Sequence, residues 1–365
     1  DTGTETLVSL FNQAVATQPN STATWFMGKT LTYGQLNEQV GRAAAALTKL
    51  GVGPGDRVAV ALPNCPQHVV AATAILRLGA TVVEHNPLYT AAELEPQFND
   101  HGARVAIVLD RVAGTFTSIS TRTPLGTVVA VNMLEEVPLH LRAALALPLP
   151  RVKKMRAELS RPAQGTLPWR KFMRQRPRTV HFPRVTQDTP AFILYTSGTS
   201  GRPKGAPLTH GNIVAVLAAG MEWLENWGAV REKVLGLLPM FHIYGLALNY
   251  AMPLTIGAQM VLVPAPKPKL YQAAITKTRP TVLPGVPTLY HDIIEWALKT
   301  KADLSSIHTS ISGASTLPAE TIERWETATG GRLIEGYGLT ETSPILAGNP
   351  LDGTRRPGYI GLPFP

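Results

Sequence analysis

One cysteine, Cys65, stands among 365 residues, which excludes an internal disulfide and any zinc site built from several thiolates. Flanked by Asn64 and Pro66, it reads as a small packed side chain rather than a reactive one. The nine histidines never recur at HxxxH or HxH spacing, so they predict no dedicated zinc centre either. Long apolar runs are missing too: none approaches the roughly 20 residues that span a bilayer. Residues 1–4 carry neither the basic flank nor the apolar stretch of a signal peptide. A cytoplasmic protein is the expectation. Acidic residues are scarce in one place above all. Between residues 139 and 184 stand twelve Lys or Arg against a single acid, Glu158, a local charge of +11 in a chain whose total is +9. The remainder is slightly acidic, so the basic character belongs to one segment.

What is present is enough apolar material, 44% of the chain, for about two ordinary domains. Thr32 with Gln35, and Thr90 with Glu93, are capping-box pairs that predict helix starts. Residues 58–62, 80–83, 103–109 and 128–131 read as buried strands, with a helix over 67–78. After the seven prolines of residues 138–183 the alternation resumes. Strands are predicted over 234–238, 259–263, 282–283 and 309–312, and helices over 212–224, 270–276, 289–298 and 319–327. Strands alternating with helices predict an α/β fold, with mostly parallel sheets covered by helices. The proline-rich stretch places the division between a first α/β subdomain, residues 1–185, and a second, residues 186–365.

The most informative stretch begins at Tyr195 and runs through Thr196, Ser197, Gly198, Thr199, Ser200, Gly201, Arg202, Pro203 and Lys204 to Gly205. Its glycines permit the positive φ values of a tight anion-cradling turn, its hydroxyls add donors, and Lys204 supplies a mobile cation. An apolar, β-favouring run precedes it and a helix start near residues 208–214 follows, so a strand, a loop and a helix are expected in order. It is not a Walker A loop, because Pro203 stands where that motif needs glycine and no Ser or Thr follows Lys204. Taken alone, such a stretch reads more readily as a polar surface turn. His242, a lone histidine at an apolar strand end, reads as well as a satisfied core residue as a functional one.

This loop resembles the phosphate loop of the adenylate-forming enzymes, the superfamily of acyl-CoA synthetases, aryl-CoA ligases, luciferases and peptide-synthetase adenylation domains. Two further motifs of that family follow in order: Pro239-Met240-Phe241-His242-Ile243-Tyr244-Gly245, and Glu335-Gly336-Tyr337-Gly338-Leu339-Thr340-Glu341-Thr342-Ser343-Pro344. The resemblance implies two stacked subdomains. It implies that the segment from Thr196 to Gly201, with Lys204, holds the β and γ phosphates of ATP, that Thr340 contacts the α phosphate, and that Glu341 ligates Mg²⁺. Gly313, Ala314 and Ser315, with Gly336, Tyr337 and Gly338, would seat the adenine. His242 would line the acyl tunnel beside the reacting carboxylate. Amino-acid-activating relatives carry Asp at that position to pair the substrate ammonium, so His242 implies a fatty or aryl acid.

The leading expectation is ATP-dependent activation of a medium- to long-chain fatty acid to an acyl-adenylate, followed by thioester formation with coenzyme A. A coumarate-type aryl-CoA ligase, a fatty-acyl-AMP ligase loading a carrier protein, and a non-catalytic nucleotide-binding module are the alternatives. The family pattern continues past residue 365 with a ribose-binding Asp, a hinge and a small mobile domain bearing a catalytic Lys. None of these is in the sequence, so the resemblance implies the large N-terminal portion of a longer enzyme, its C-terminal small domain absent and its turnover alone low. The basic segment, with Leu139, Leu141, Leu145, Leu147, Leu149, Met155, Leu159, Trp169, Phe172 and Met173, reads either as a solvated loop or as a peripheral contact with an anionic membrane at its inner face. No nucleic-acid-binding module accompanies the charge, so no nucleic acid partner is expected.

Overall fold

The structure, a computed structural model, describes residues 4–161, 163–175, 180, 182–196, 203–223, 231–351 and 354–364. The chain forms a mixed α/β fold of two sheets, mostly parallel and covered by helices. In the first sheet the order is Leu167–Pro168, Thr127–Val131, Val105–Leu109, Arg57–Ala61, Thr81–Glu84, Pro190–Thr196 and Lys204–Thr209. Every pair is parallel except the last. The second sheet runs Leu362–Pro363, Ile345–Gly348, Arg332–Gly338, Thr309–Ser312, Val282–Gly285, Lys233–Gly236, Gln259–Leu262, Thr22–Phe26 and Lys29–Thr32. Its central six strands are parallel, and its margins are antiparallel.

The two-residue period of a strand explains how these sheets stack. Val58 and Val60 face one side and Ala59 and Ala61 the other, and the same alternation separates Met260 and Leu262 from Val261 and Val263. The first set from both sheets enters one shared core, while the second sets feed two separate outer cores. The helix Pro66–Arg77 belongs to that shared middle layer, and all twelve of its residues are buried. Thr73 on this helix shares a hydrogen bond of 3.0 Å with the Tyr250 hydroxyl. Both capping boxes form: the Gln35 amide donates to Thr32 Oγ1 at 3.2 Å, and the Thr90 amide donates to Glu93 Oε2 at 2.7 Å.

The structure departs from sequence expectation in three places. The sheets exchange segments across residue 185: Pro190–Thr196 pairs with Thr81–Glu84 in the first sheet, and Thr22–Phe26 pairs with Gln259–Leu262 in the second. Such pairings depend on residues more than a hundred positions apart, and local pattern does not encode them. Between Thr196 and the helix His210–Trp223 lies a strand, Lys204–Thr209, antiparallel to Pro190–Thr196, so a strand and not a helix follows the expected loop. Pro207 weakens its strand signal, and the strand sits on a sheet edge where proline is tolerated. The described part of the basic segment forms the helices Leu139–Ala146 and Pro150–Leu159 and a short third one, Trp169–Phe172. Trp169 and Phe172 are buried, and Leu141, Leu145, Leu159 and Met173 pack against the core, so most of the apolar residues expected at a membrane face inward.

Four histidines, His68, His85, His101 and His210, are buried among the described residues. Burial pushes the imidazoles of His85 and His210 down to about 4 and that of His101 to about 2, the last helped by His85 and Arg57 nearby. Each depressed pKa means the unfolded chain takes up the proton first, so stability is full above pH 6.5 and falls as pH drops below it. Both ring nitrogens of His210 lack a partner among the described residues, which makes it the simplest to replace. We expect His210→Leu to flatten the loss of stability between pH 6.5 and 5 by about 1.4 kcal/mol per pH unit, read from urea unfolding. An unchanged slope would contradict a neutral buried imidazole.

Candidate active site

Parallel strands leave their carboxyl ends on one side, and loops leaving those ends converge there. Three such loops meet the first-sheet hairpin around a cavity of about 380 Å³. One follows Lys233–Gly236 and brings His242 and Tyr244; another follows Thr309–Ser312 and brings Gly313 and Ala314. The strand Arg332–Gly338 contributes Gly336, Tyr337 and Gly338 directly, and the short turn Thr340–Thr342 adds Thr340 and Glu341. Thr196 reaches the same cavity from the end of its strand. Lys204 is its cross-strand partner, and the strand that Lys204 opens packs against the Thr340–Thr342 turn. Ser315 lies outside the cavity wall. Ser197, Gly198, Thr199, Ser200 and Gly201 lie outside the described residues.

Backbone shape explains several of these positions. Ala314 adopts φ 68°, a left-handed conformation that costs a non-glycine residue about 1–2 kcal/mol and here marks the tight turn at the cavity edge. Gly313 leaves room for the Tyr244 ring, whose carbon would lie 3.1 Å from an added Cβ. Tyr244 in turn donates its hydroxyl hydrogen to the Ile311 carbonyl at 2.7 Å, so the ring is held as a fixed wall. Tyr337 remains 43% exposed and presents an aromatic face. Tyr244 occurs in a motif singled out from the sequence, yet its structural part was not legible there, because it depends on a carbonyl 67 residues away.

His242 caps the short helix Ile243–Gly245, its Nδ1 accepting the Tyr244 amide hydrogen at 3.3 Å. That bond leaves the proton of the neutral ring on Nε2. Desolvation holds the imidazole below its usual pKa, so the neutral form persists at pH 7. Glu341 is the one carboxylate among the residues lining the cavity, and no cluster of three or more metal-ligating side chains occurs among the described residues. One carboxylate beside polar hydroxyls fits a magnesium ion brought in on phosphate oxygens, and does not fit a protein-caged metal.

A buried amide outside every recognised motif holds the His242 loop. Asn64, in the turn after Arg57–Ala61, donates from Nδ2 to the carbonyls of Gly236 and Leu238 at 2.9 and 2.8 Å. Its Oδ1 accepts from the Met240 amide at 2.9 Å. Asn249 adds a second bond to Leu238, at 2.8 Å.

A second, almost wholly apolar cavity adjoins the first. The two share Ile311, Gly336, Pro344 and Ile345. Gly220, Met252, Trp223 and Phe364 lie on the apolar side only, the last two edge to face with ring centroids 4.9 Å apart.

The chain belongs to the AMP-binding enzyme family, whose model matches residues 11–365. It is 35% identical to the long-chain-fatty-acid–CoA ligase of Bacillus subtilis (strain 168), over 99% of this chain and 64% of that protein. It is 31% identical to a feruloyl-CoA synthase of an Amycolatopsis species, over 94% of this chain and 62% of that protein. Among solved structures it is similar to the anthranilate CoA ligase AuaEII in complex with anthranoyl-AMP, with TM-score 0.83 and 26% identity, covering 99% of this chain and 65% of that one. MatB from Rhodopseudomonas palustris follows with TM-score 0.79 and 25% identity, over 98% and 65%. The chain thus spans somewhat under two thirds of the length of these relatives.

Asn64→Ala strips partners from two carbonyls and one amide, all in the loop that carries His242. We expect a loss of roughly 2–4 kcal/mol in urea unfolding. A loss below that range would show that the loop is held by other contacts.

Proposed function

We propose that this chain supplies the nucleotide- and acid-binding part of an ATP-dependent acyl-CoA ligase acting on medium- to long-chain fatty acids. The observation that carries the reading is the shared wall: a polar cavity with hydroxyls and one carboxylate borders, at Gly336 and Ile311, a small apolar one of about 30 Å³. A carboxylate at that junction would face the polar side with its chain in the apolar side. Names among the relatives support the same reaction class.

In this reading Thr196, Lys204 and the intervening loop, with Thr340, bind the phosphates of ATP, and Glu341 holds Mg²⁺, which neutralises phosphate charge when bound. Gly313, Ala314, Gly336, Tyr337 and Gly338 seat the adenine. His242 offers Nε2–H toward the junction, where a hydrogen bond from a neutral donor orients a carboxylate oxygen without quenching its nucleophilicity. Attack on the α phosphorus requires the carboxylate and the departing pyrophosphate in line, so fixed walls such as the Tyr244 ring serve by positioning. Thioester formation with coenzyme A belongs to the whole protein.

ATP–pyrophosphate exchange by the whole protein tests this. We expect exchange with medium- and long-chain fatty acids, and a loss of roughly a hundredfold in Glu341→Gln. An added Cβ at Gly220 meets nothing within 4 Å, so Gly220→Leu fills the apolar cavity without a backbone clash and should shift preference toward shorter acids. Exchange with aryl acids alone would favour the aryl-CoA ligase, transfer to a carrier protein the acyl-AMP ligase, and silence toward every acid a nucleotide-binding module.

The two basic helices support a second, narrower proposal, contact with an anionic membrane. Leu139, Leu147 and Leu149 are 78%, 49% and 54% exposed, beside the exposed Arg142, Lys153, Lys154 and Arg156. Each basic side chain near such a surface contributes about 1 kcal/mol. We expect flotation with phosphatidylserine vesicles at low salt and none with neutral vesicles; equal behaviour on both would dismiss the contact.

A further inference from the structure

The antiparallel pair Pro190–Thr196 and Lys204–Thr209 is anchored from behind by a residue that the reading above leaves without a part. Thr196 faces the cavity, so by strand alternation Tyr195 points the other way, toward the helix Ala91–His101. There its hydroxyl donates to Asp100 Oδ2 at 2.6 Å and lies 3.2 Å from the Gln97 carbonyl. Its cross-strand partner is Gly205, next to Lys204. A Cβ on Gly205 would stand 3.3 Å from the Tyr195 ring carbon that bears the hydroxyl, and 3.1 Å from Ile193, so the absence of a side chain lets the phenol lie across the second leg of the hairpin. One ring therefore touches both legs and the helix.

The surroundings of that ring are held in a single arrangement. His85 stacks on Tyr195 with centroids 6.0 Å apart and planes 17° from parallel, and on its other side stacks on Phe98 at 5.2 Å and 11°. The imidazole is hydrogen-bonded at both ring nitrogens, and a chain of bonds sets its tautomer. The Ala103 amide donates to His101 Nδ1 at 3.0 Å, which leaves the His101 proton on Nε2 to donate to His85 Nε2 at 3.2 Å. His85 then carries its own proton on Nδ1 and donates to Gln97 Oε1 at 3.0 Å. The helix Ala91–His101 and this stack form a fixed platform under the hairpin base.

We propose that Tyr195, through Asp100, is a positioning residue for nucleotide binding, setting where Thr196 and Lys204 stand at the mouth of the cavity. This rests on reading the cavity as the nucleotide site. Tyr195→Phe keeps the ring and its stacking and removes the hydroxyl that bonds Asp100 and contacts the Gln97 carbonyl. With calorimetry of MgATP on this chain, we expect Tyr195→Phe to bind about tenfold more weakly than the unmodified chain, the scale of one charge-assisted hydrogen bond. Asp100→Leu should match it, while Asp100→Asn, which keeps an acceptor oxygen, should recover most of the affinity. Gly205→Ala, which pushes the phenol aside, should weaken binding as well. A merely structural role would track melting temperature across these variants and leave the affinity of the folded protein alone. Full affinity in Tyr195→Phe, or no difference between the two Asp100 variants, overturns the proposal. No heat with the unmodified chain overturns the nucleotide site itself, and that result is visible before any variant is compared.

Discussion

The Asn64 amide is the constraint on which the crevice depends. It sits in a turn of the first sheet and uses both a donor and an acceptor end on the loop that leaves the second sheet toward His242. Hydrophobic packing is non-directional and would tolerate small slides of one layer over the other. Hydrogen bonds of 2.8–2.9 Å to three backbone groups do not. The apolar middle layer supplies the affinity between the sheets, and this one side chain supplies the register at the place where chemistry needs it.

A division of labour runs through the site. Its polar half is made of loops at strand ends, where glycine and alanine bring backbone close to whatever binds. The apolar half is made of residues on the helix His210–Trp223, on the helices after His242, and on strands at Ile311, Ile334 and Ile345. Tyr244 and Ile311 lie at the seam and are tied together by a 2.7 Å hydrogen bond. The seam is stiff where the two halves must agree on the position of one functional group.

Much of this was legible in the sequence and some was not, for physical reasons. The capping pairs at Thr32 and Thr90 are local, and both form. Helices and central strands with strong periodicity fall within a few residues of expectation. Gly313, Ala314, Gly336, Tyr337, Thr340 and Glu341 stood out through the family resemblance of their motifs, and they meet around one cavity. The edge strand Lys204–Thr209 was hidden by Pro207, and Asn64, Tyr244 and Tyr195 act through partners far away in the chain. Trp169 and Phe172 misled in the other direction: placed among twelve cations they suggested a surface, but large aromatic rings find the core whenever the backbone allows it.

The strand Thr22–Phe26 is completed by Gln259–Leu262 on one side, so an early part of the chain has its parallel neighbour more than two hundred residues later. During synthesis at about 5–20 residues per second, Ala23 and Phe26 wait tens of seconds without the surface that buries them. Arg57–Ala61, Thr81–Glu84, Val105–Leu109 and Thr127–Val131, by contrast, find one another while the ribosome is still on the first half. Birth order therefore makes the first sheet a scaffold on which the second is finished last, with its earliest-made strand sewn in near the end.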